Sequence, residues 1–189
     1  MVPGGAGFRM HTTNPVKPLL NEFRPTDAMG RQRLEIASEL VADIDRFDQM
    51  LKASRARINT AISASGTTLT EIWGLGPITA AMIIGHTGDI DRFPTKERYA
   101  SYNATAPVEA SSGNRIRHRL NPRGNRQLNW AIHVVAISQL RYDTPGRVFY
   151  DRKIAEGKTS KEATRALKRR LSDVIYRHLV ADARGREQQ

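Results

Sequence analysis

From Asp27 to Gly76 the chain contains no proline, and Leu34, Ala37, Val41, Ile44, Leu51, Ile58 and Ile62 recur on a three-four rhythm. Asp48 and Arg55 occupy two further positions of that rhythm. Residues three and four apart share one face of an α-helix, so the pattern predicts a single long helix, about Asp27–Ala64, with coiled-coil character. Ser65-Gly66 supplies its stop. An apolar stripe of this kind is covered by its own domain, by a second copy, or by an antiparallel partner, and the pattern leaves these open. Residues 1–24 are rich in Gly, Pro and Thr without a period, which predicts a flexible N-terminus ahead of the helical span 25–66.

From residue 67 the pattern changes to short apolar-periodic segments separated by Gly and Pro. Thr68 is placed to cap a short helix running to Trp73. Gly74-Leu75-Gly76 makes a tight turn, and Pro77 suits the first turn of a helix reaching His86. Gly88-Asp89 ends that one, and a further helix is predicted over about Thr95–Ala104, broken by Pro107. A loop, about Val108–Asn121, follows, with room for a small hairpin. Helices are then predicted near Pro122–Arg141, Pro145–Glu156 and Ser160–Ala183. Thr144 and Thr159 or Ser160 are the caps, and Gly157 is a terminator. The expected fold is mainly α. A long coiled-coil-like helix precedes a compact helical domain, residues 67–183, that carries a helix-hairpin-helix and a basic serine loop. Residues 184–189 read as a polar tail.

Charge sharpens this picture. Thirty Lys and Arg against nineteen Asp and Glu leave a net charge of +11 over 189 residues. So basic a balance points to a polyanion, with nucleic acid the default partner. No apolar run approaches the roughly 20 residues that span a bilayer, and the first residues hold no secretory signal core. The absence of cysteine removes disulfides and thiolate metal ligands. Together these features predict a chain inside the cell, with no membrane partner. The five histidines show no metal-ligand spacing, and no metal site is expected in this chain. Asp89 and Asp91 read as helix-end caps rather than as a metal pair.

The charge is also concentrated. From Ala110 to Tyr142 there are six arginines and no acidic residue. Ser111, Ser112 and Gly113 precede Arg115, Arg117, His118 and Arg119, with Arg123 and Arg126 further on. Guanidinium forks match phosphate oxygens, so these arginines are candidate phosphate contacts. A hydroxyl in such a field is a candidate nucleophile toward a phosphodiester, although a serine beside a glycine is more commonly a turn residue. Gly74 and Gly76 let backbone approach a phosphate, and the amides opening the following helix then point at the anion. A plain glycine turn between two core helices is the alternative. Trp130, His133 and Tyr142 are candidates for stacking on bases, with core packing equally open for Trp130. Lys161, Arg165, Lys168, Arg169 and Arg170 form either a second backbone contact or a solvated helix face.

In order, Trp73-Gly74-Leu75-Gly76-Pro77, Gly88-Asp89-Ile90-Asp91-Arg92-Phe93, Tyr99-Ala100-Ser101-Tyr102, Ala106-Pro107, Ser111-Ser112-Gly113 and Arg123-Gly124-Asn125-Arg126 resemble the C-terminal half of the IS110 family of insertion-sequence transposases. The likeness continues through Tyr150, Gly157-Lys158 and Lys168-Arg169-Arg170 to Leu179. The resemblance implies a two-part enzyme. An N-terminal RuvC-like domain binds divalent metal, magnesium, through four acidic residues. A coiled coil links it to a C-terminal domain whose serine bonds covalently to DNA, and a bridge RNA selects the DNA partners. On that basis Ser112, directly before the glycine, corresponds to the nucleophile, and Ser111 is its neighbour. DNA and a guide RNA are the implied partners, with homo-oligomerisation through the long helix and a place at the bacterial nucleoid. No counterpart of the acidic domain precedes the long helix. The chain is therefore expected to be a truncated or internally started copy with little or no recombination on its own. A non-catalytic nucleic-acid-binding module and a protein-interaction piece acting through the long helix are the rival expectations.

Overall fold

The computed structural model describes residues 16–109, 118–119 and 124–188, and within them the chain divides into two units, up to Arg57 and from Ile58. The first unit holds α1, Val16–Glu22, and most of α2, Ala28–Ala64. The α1 helix lies where an irregular N-terminus is expected from composition. Asp27 opens α2, its Oδ1 accepting the Gly30 amide at 2.5 Å, and Lys17 pairs with Asp45 at 2.5 Å.

The long helix runs as its spacing predicts, for 37 residues. Leu34, Ala37 and Val41 are half-buried. Ile44 and Leu51, two of the predicted seam residues, are exposed, as are Ile36, Leu40, Phe47 and Met50. At the far end Ser65 turns its hydroxyl back to the Ile62 carbonyl (2.7 Å), and Gly66 takes the left-handed φ of 63° that stops the helix.

The second unit is built from the last turns of α2, a 3-10 turn at Thr68–Glu71, and α3 (Pro77–Thr87), α4 (Lys96–Tyr102), α5 (Arg126–Leu140), α6 (Pro145–Ala155) and α7 (Ser160–Glu187). Two short strands, β1 (Val108–Glu109) and β2 (His118–Arg119), pair antiparallel. The core forms where the apolar faces of α3, α5 and α7 meet: Ile83, Leu128, Ile132, Val135, Leu167 and Ile175 are fully buried. On α7, Ala163, Leu167, Leu171, Ile175 and Leu179 recur every four residues, so one face of a 28-residue helix is apolar throughout. Ile58 and Ile62 join this core. Phe93, Tyr99, Tyr102 and Tyr176 form an aromatic layer between α4 and α7. Within it Tyr99 shares a hydrogen bond with Thr87, and burial pushes its phenol up to about 12.

Several boundaries differ from the sequence pattern for local reasons. Thr67, not Thr68, caps the turn after α2, its hydroxyl accepting the Leu69 amide. Thr68 is instead held by α7: its hydroxyl donates to Asp182 Oδ1 and meets His178 Nδ1, each at 2.7 Å. The segment ends at Glu71 as a single 3-10 turn rather than continuing to Trp73. The α4 helix is shorter than predicted because Thr95 lies outside it as the cap. Asn125 caps α5, its Oδ1 accepting the Leu128 amide at 3.0 Å, so that helix starts four residues after Pro122. The α7 helix continues through Arg184 and Arg186, where a polar tail is expected. Asp89 Oδ1 accepts the Asp91 amide in a turn after α3, whereas the helix itself is capped by the Gly88 amide on the Ile84 carbonyl, so Asp89 is a turn residue and not the helix-end cap expected.

Candidate nucleic-acid interface

The serine loop leaves the fold at the end of α4. Asn103 is fully buried there, donating to Ser172 Oγ at 2.8 Å while its Oδ1 accepts the Thr105 amide and hydroxyl. Ala104 follows with φ 58°, a left-handed conformation that costs a non-glycine residue about 1 kcal/mol or more. Asn129 on α5 stabilises it, donating to the carbonyls of Asn103 (3.0 Å) and Ala104 (3.1 Å). The returning chain closes the stem from the other side. The Asn125 amide donates to the Tyr102 carbonyl at 2.6 Å, and Gly124 packs so tightly on Ala104 that a Cβ there would stand 2.5 Å from the Ala104 Cβ. Between these anchors Val108 pairs with Arg119 and Glu109 with His118. Eight residues, 110–117, therefore connect two strands whose ends are fixed.

Ser111, Ser112, Arg115, Arg117 and Arg123 lie outside the described residues. Arg119 is placed in β2 opposite Val108, and Arg126 is exposed as the first residue of α5. Tyr102, at the foot of the stem, receives a hydrogen bond from Asn125 that lowers its phenol pKa, an effect Arg92 reinforces. The Arg92 guanidinium sits 4.6 Å from both the Phe93 and Tyr102 ring centres. Arg92, Phe93, Glu97, Arg98 and Ser101 line an open pocket beside it, with a volume of about 460 Å³.

The two hairpin glycines play different parts. Gly74 has φ 79° and lies under α5, where an added Cβ would meet Ser138 Cβ at 3.0 Å. The neighbouring Trp73 carbonyl accepts from Gln139 at 2.9 Å. Gly76 is extended (φ −82°, ψ 171°), open, and sits at the N-cap of α3 without a side-chain capping bond. Pro77 has no N–H, so the amides of that first turn left for another acceptor are those of Ile78 and Thr79. Only a 3-10 turn precedes the glycines, so the α-helical first arm of a helix-hairpin-helix is missing.

Trp130 is 53% exposed, which removes the core-packing alternative for it. Tyr142 is exposed and tilts against Trp73 at 5.0 Å between ring centres. The cations of α7 separate into two groups. Arg169 pairs with Asp173 and lies 3.8 Å from Glu97, and Arg170 stands over the Phe149 ring, so both serve the fold. Lys161, Arg165 and Lys168 form no ion pair among the described residues. Lys168 is half-buried, its Nζ donating to Asn129 Oδ1 at 2.6 Å. Burial, with the Arg165 charge added, pushes it down to about 8. His133 is lowered too, by desolvation first and by Lys168 second. No local pattern in the sequence marks the stem asparagines as functional. The one available signal is the placement of Asn125 and Asn129, four residues apart beside the arginines.

Residues 66–151 match the Transposase IS116/IS110/IS902 family. The 43.6 kDa protein of insertion element IS110 from Streptomyces coelicolor is 34% identical over 144 residues, covering 75% of this chain and 36% of the relative. The 44.8 kDa protein of insertion element IS116 from Streptomyces clavuligerus is 33% identical over 147 residues, 74% of this chain and 37% of the relative. The 42 kDa protein of insertion element IS900 from Mycobacterium paratuberculosis is 35% identical over 105 residues, 54% and 26% respectively. The family match falls within the compact helical unit, over residues 66–151. The chain belongs to the IS110 family, and it spans about a third of the length of the curated relatives it matches most extensively. No helix among the described residues is long and apolar enough to cross a membrane.

Proposed function

We propose that this chain is the DNA-binding, serine-bearing segment of an IS110-family transposase, with Ser112 as the nucleophile of strand cleavage and exchange. The observation that carries this reading is the family match over residues 66–151, which contains Ser112 and the paired strands on either side of it. In the reaction, Ser112 Oγ attacks a DNA phosphorus. The new serine–phosphate bond replaces the bond to a deoxyribose oxygen, which leaves as a free hydroxyl, and the serine proton balances it. Arg115, Arg117, Arg119, Arg123 and Arg126 hold the phosphate and stabilise the charge that builds on its oxygens. The paired strands Val108–Glu109 and His118–Arg119 bracket the segment that carries Ser112. Gly76 and the open first turn of α3 hold a second phosphate through backbone amides, while Gly74 shapes the turn. A guide RNA, an oligomer joined along the exposed apolar residues of α2, and a bacterial nucleoid location belong to the same reading.

Divalent metal would supply charge neutralisation and activation of the attacking oxygen. Among the described residues no three His, Asp or Glu side chains gather to hold one, and no residue of this segment is assigned to it. The test is covalent protein–DNA adduct formation by a full-length relative carrying this segment. Ser112→Ala abolishes the adduct and Ser111→Ala retains it. An undiminished adduct with Ser112→Ala refutes the assignment. If the segment binds DNA with a steep salt dependence yet no serine change affects adducts, the non-catalytic module is the correct reading.

A further inference from the structure

The serine loop does not account for the charge and the aromatic ring on the outer faces of α5 and α7. On α5, Arg126, Trp130 and His133 follow one another at four and three residues, so they share a stripe. Leu128, Ala131, Ile132 and Val135 bury the opposite side. On α7, Lys161, Arg165 and Lys168 repeat the same rhythm, and α5 packs against α7. Lys168 joins the stripes through its bond to Asn129, one turn before His133. The ammonium is half-buried with an amide oxygen but no carboxylate beside it, and such a charge costs stability that the fold does not recover. Its desolvated state, visible in a pKa near 8, makes a phosphate a favourable counter-ion. Asn129 also holds the Asn103 and Ala104 carbonyls, so the cation stands at the foot of the serine loop.

We propose that this face binds an unpaired nucleotide, its base stacked on Trp130 and its phosphate held by Lys168, Arg165 and His133. The proposal rests on nucleic-acid binding by this domain and adds the class of ligand: a single-stranded or locally opened strand. An indole exposed among cations is the combination such strands use, since every base offers a stacking face and the backbone supplies the charge. A duplex keeps its bases stacked inside and cannot use the indole. DNA and RNA share the chemistry.

The test uses the full chain in a Trp73→Phe background, where Trp130 is the sole indole. Twelve-residue oligothymidylate, oligouridylate and a blunt DNA duplex are titrated at several salt concentrations. Either single strand is expected to quench Trp130, and a preference between them identifies the strand as DNA or RNA. Lys168→Met is expected to weaken binding about tenfold and to reduce the salt slope by about one, while Lys168→Arg restores both. Trp130→Leu, followed by anisotropy of a labelled strand, loses about tenfold or more. The Lys168→Met chain is expected to unfold no earlier than wild type, which separates lost contact from lost fold. Wild-type affinity and slope in Lys168→Met, or strand binding without quenching, overturns the site and leaves the broader reading standing. Equal quenching by duplex overturns the unpaired base. Absence of all binding at low salt overturns both the reading and the site.

Discussion

Gly74 and Gly76 stand two residues apart in one turn, yet alanine should affect them in opposite ways. At Gly74 the φ of 79° places an alanine in a region that costs about 1–2 kcal/mol. The added methyl also presses on Ser138 Cβ at 3.0 Å, a contact from α5, which packs on α3 in the core. The entropy gained by stiffening the unfolded chain returns about 0.4–1 kcal/mol. Gly74→Ala is therefore expected to lose about 1–2 kcal/mol. For a unit of this size that lowers the thermal midpoint by about 4 °C per kcal/mol.

At Gly76 the backbone is ordinary for any residue, and an added methyl would meet nothing within 4 Å. The same entropy gain offsets the weaker N-cap preference of alanine, so stability changes by about 0.5 kcal/mol or less. If the first-turn amides of α3 hold a phosphate, the methyl stands in its approach. Losing one such bond is worth about 1.5–3 kcal/mol, tenfold or more in affinity. The assay is paired: thermal unfolding and oligonucleotide binding for both variants. A stable Gly76→Ala chain with undiminished binding refutes the phosphate role of the turn, and an undestabilised Gly74→Ala chain refutes the conformational argument.

Asn103→Ala removes a buried side chain whose three hydrogen bonds tie α4 to Ser172 and Thr105, and is expected to cost about 2–4 kcal/mol by urea unfolding. Lys168 has a folded pKa near 8 against 10.5 when free, so between those values the unfolded chain binds more protons and stability rises with pH. Unfolding at pH 7 and pH 10 should show that rise in wild type, and Lys168→Met should remove this residue's share of it. Ile44→Asp places a charge among the exposed apolar residues of α2, and is expected to lower the association state by sedimentation if that face joins two copies; an unchanged state argues against such pairing.

The helices are legible in the sequence because each is written in local chemistry. The three-four spacing gives α2 within a residue at its start and to the residue at its end. Thr144 and Thr159 cap α6 and α7 through the Arg147 and Glu162 amides, and Gly157 terminates α6 at φ 86°. Where two local signals compete, the pattern misleads. Pro122 suits a first helical position, but Asn125 provides the capping oxygen, and the cap decides. The end of α7 misleads because Arg184, Gly185 and Arg186 look polar, yet nothing there stops a helix already held along its length. At the serine loop the small hairpin is legible as a possibility, but the contacts that anchor its stem are not. The stem depends on Asn103 meeting Ser172 across 69 residues and Asn129 meeting Ala104 across 25, contacts that no local period encodes.

A net charge of +11 invites the view that the whole surface is an electrostatic attractant, but the cations are not equivalent. Arg92 lies between Phe93 and Tyr102, Arg147 is bound to Asp151, Arg169 to Asp173, and Arg170 covers Phe149. Each of these has a partner inside the protein and gains little from a phosphate. Arg126, Arg165 and Lys168 have no such carboxylate among the described residues, and Lys168 carries a desolvation cost as well. These three fall on α5 and α7, the two helices that supply Asn129 and Ser172 to the stem. Lys168 carries a desolvation cost that no carboxylate among the described residues offsets, and Trp130 leaves 53% of its surface outside the packing. Their presence beside the stem is what a binding surface requires: charges and rings left unsatisfied by the fold so that a ligand can satisfy them.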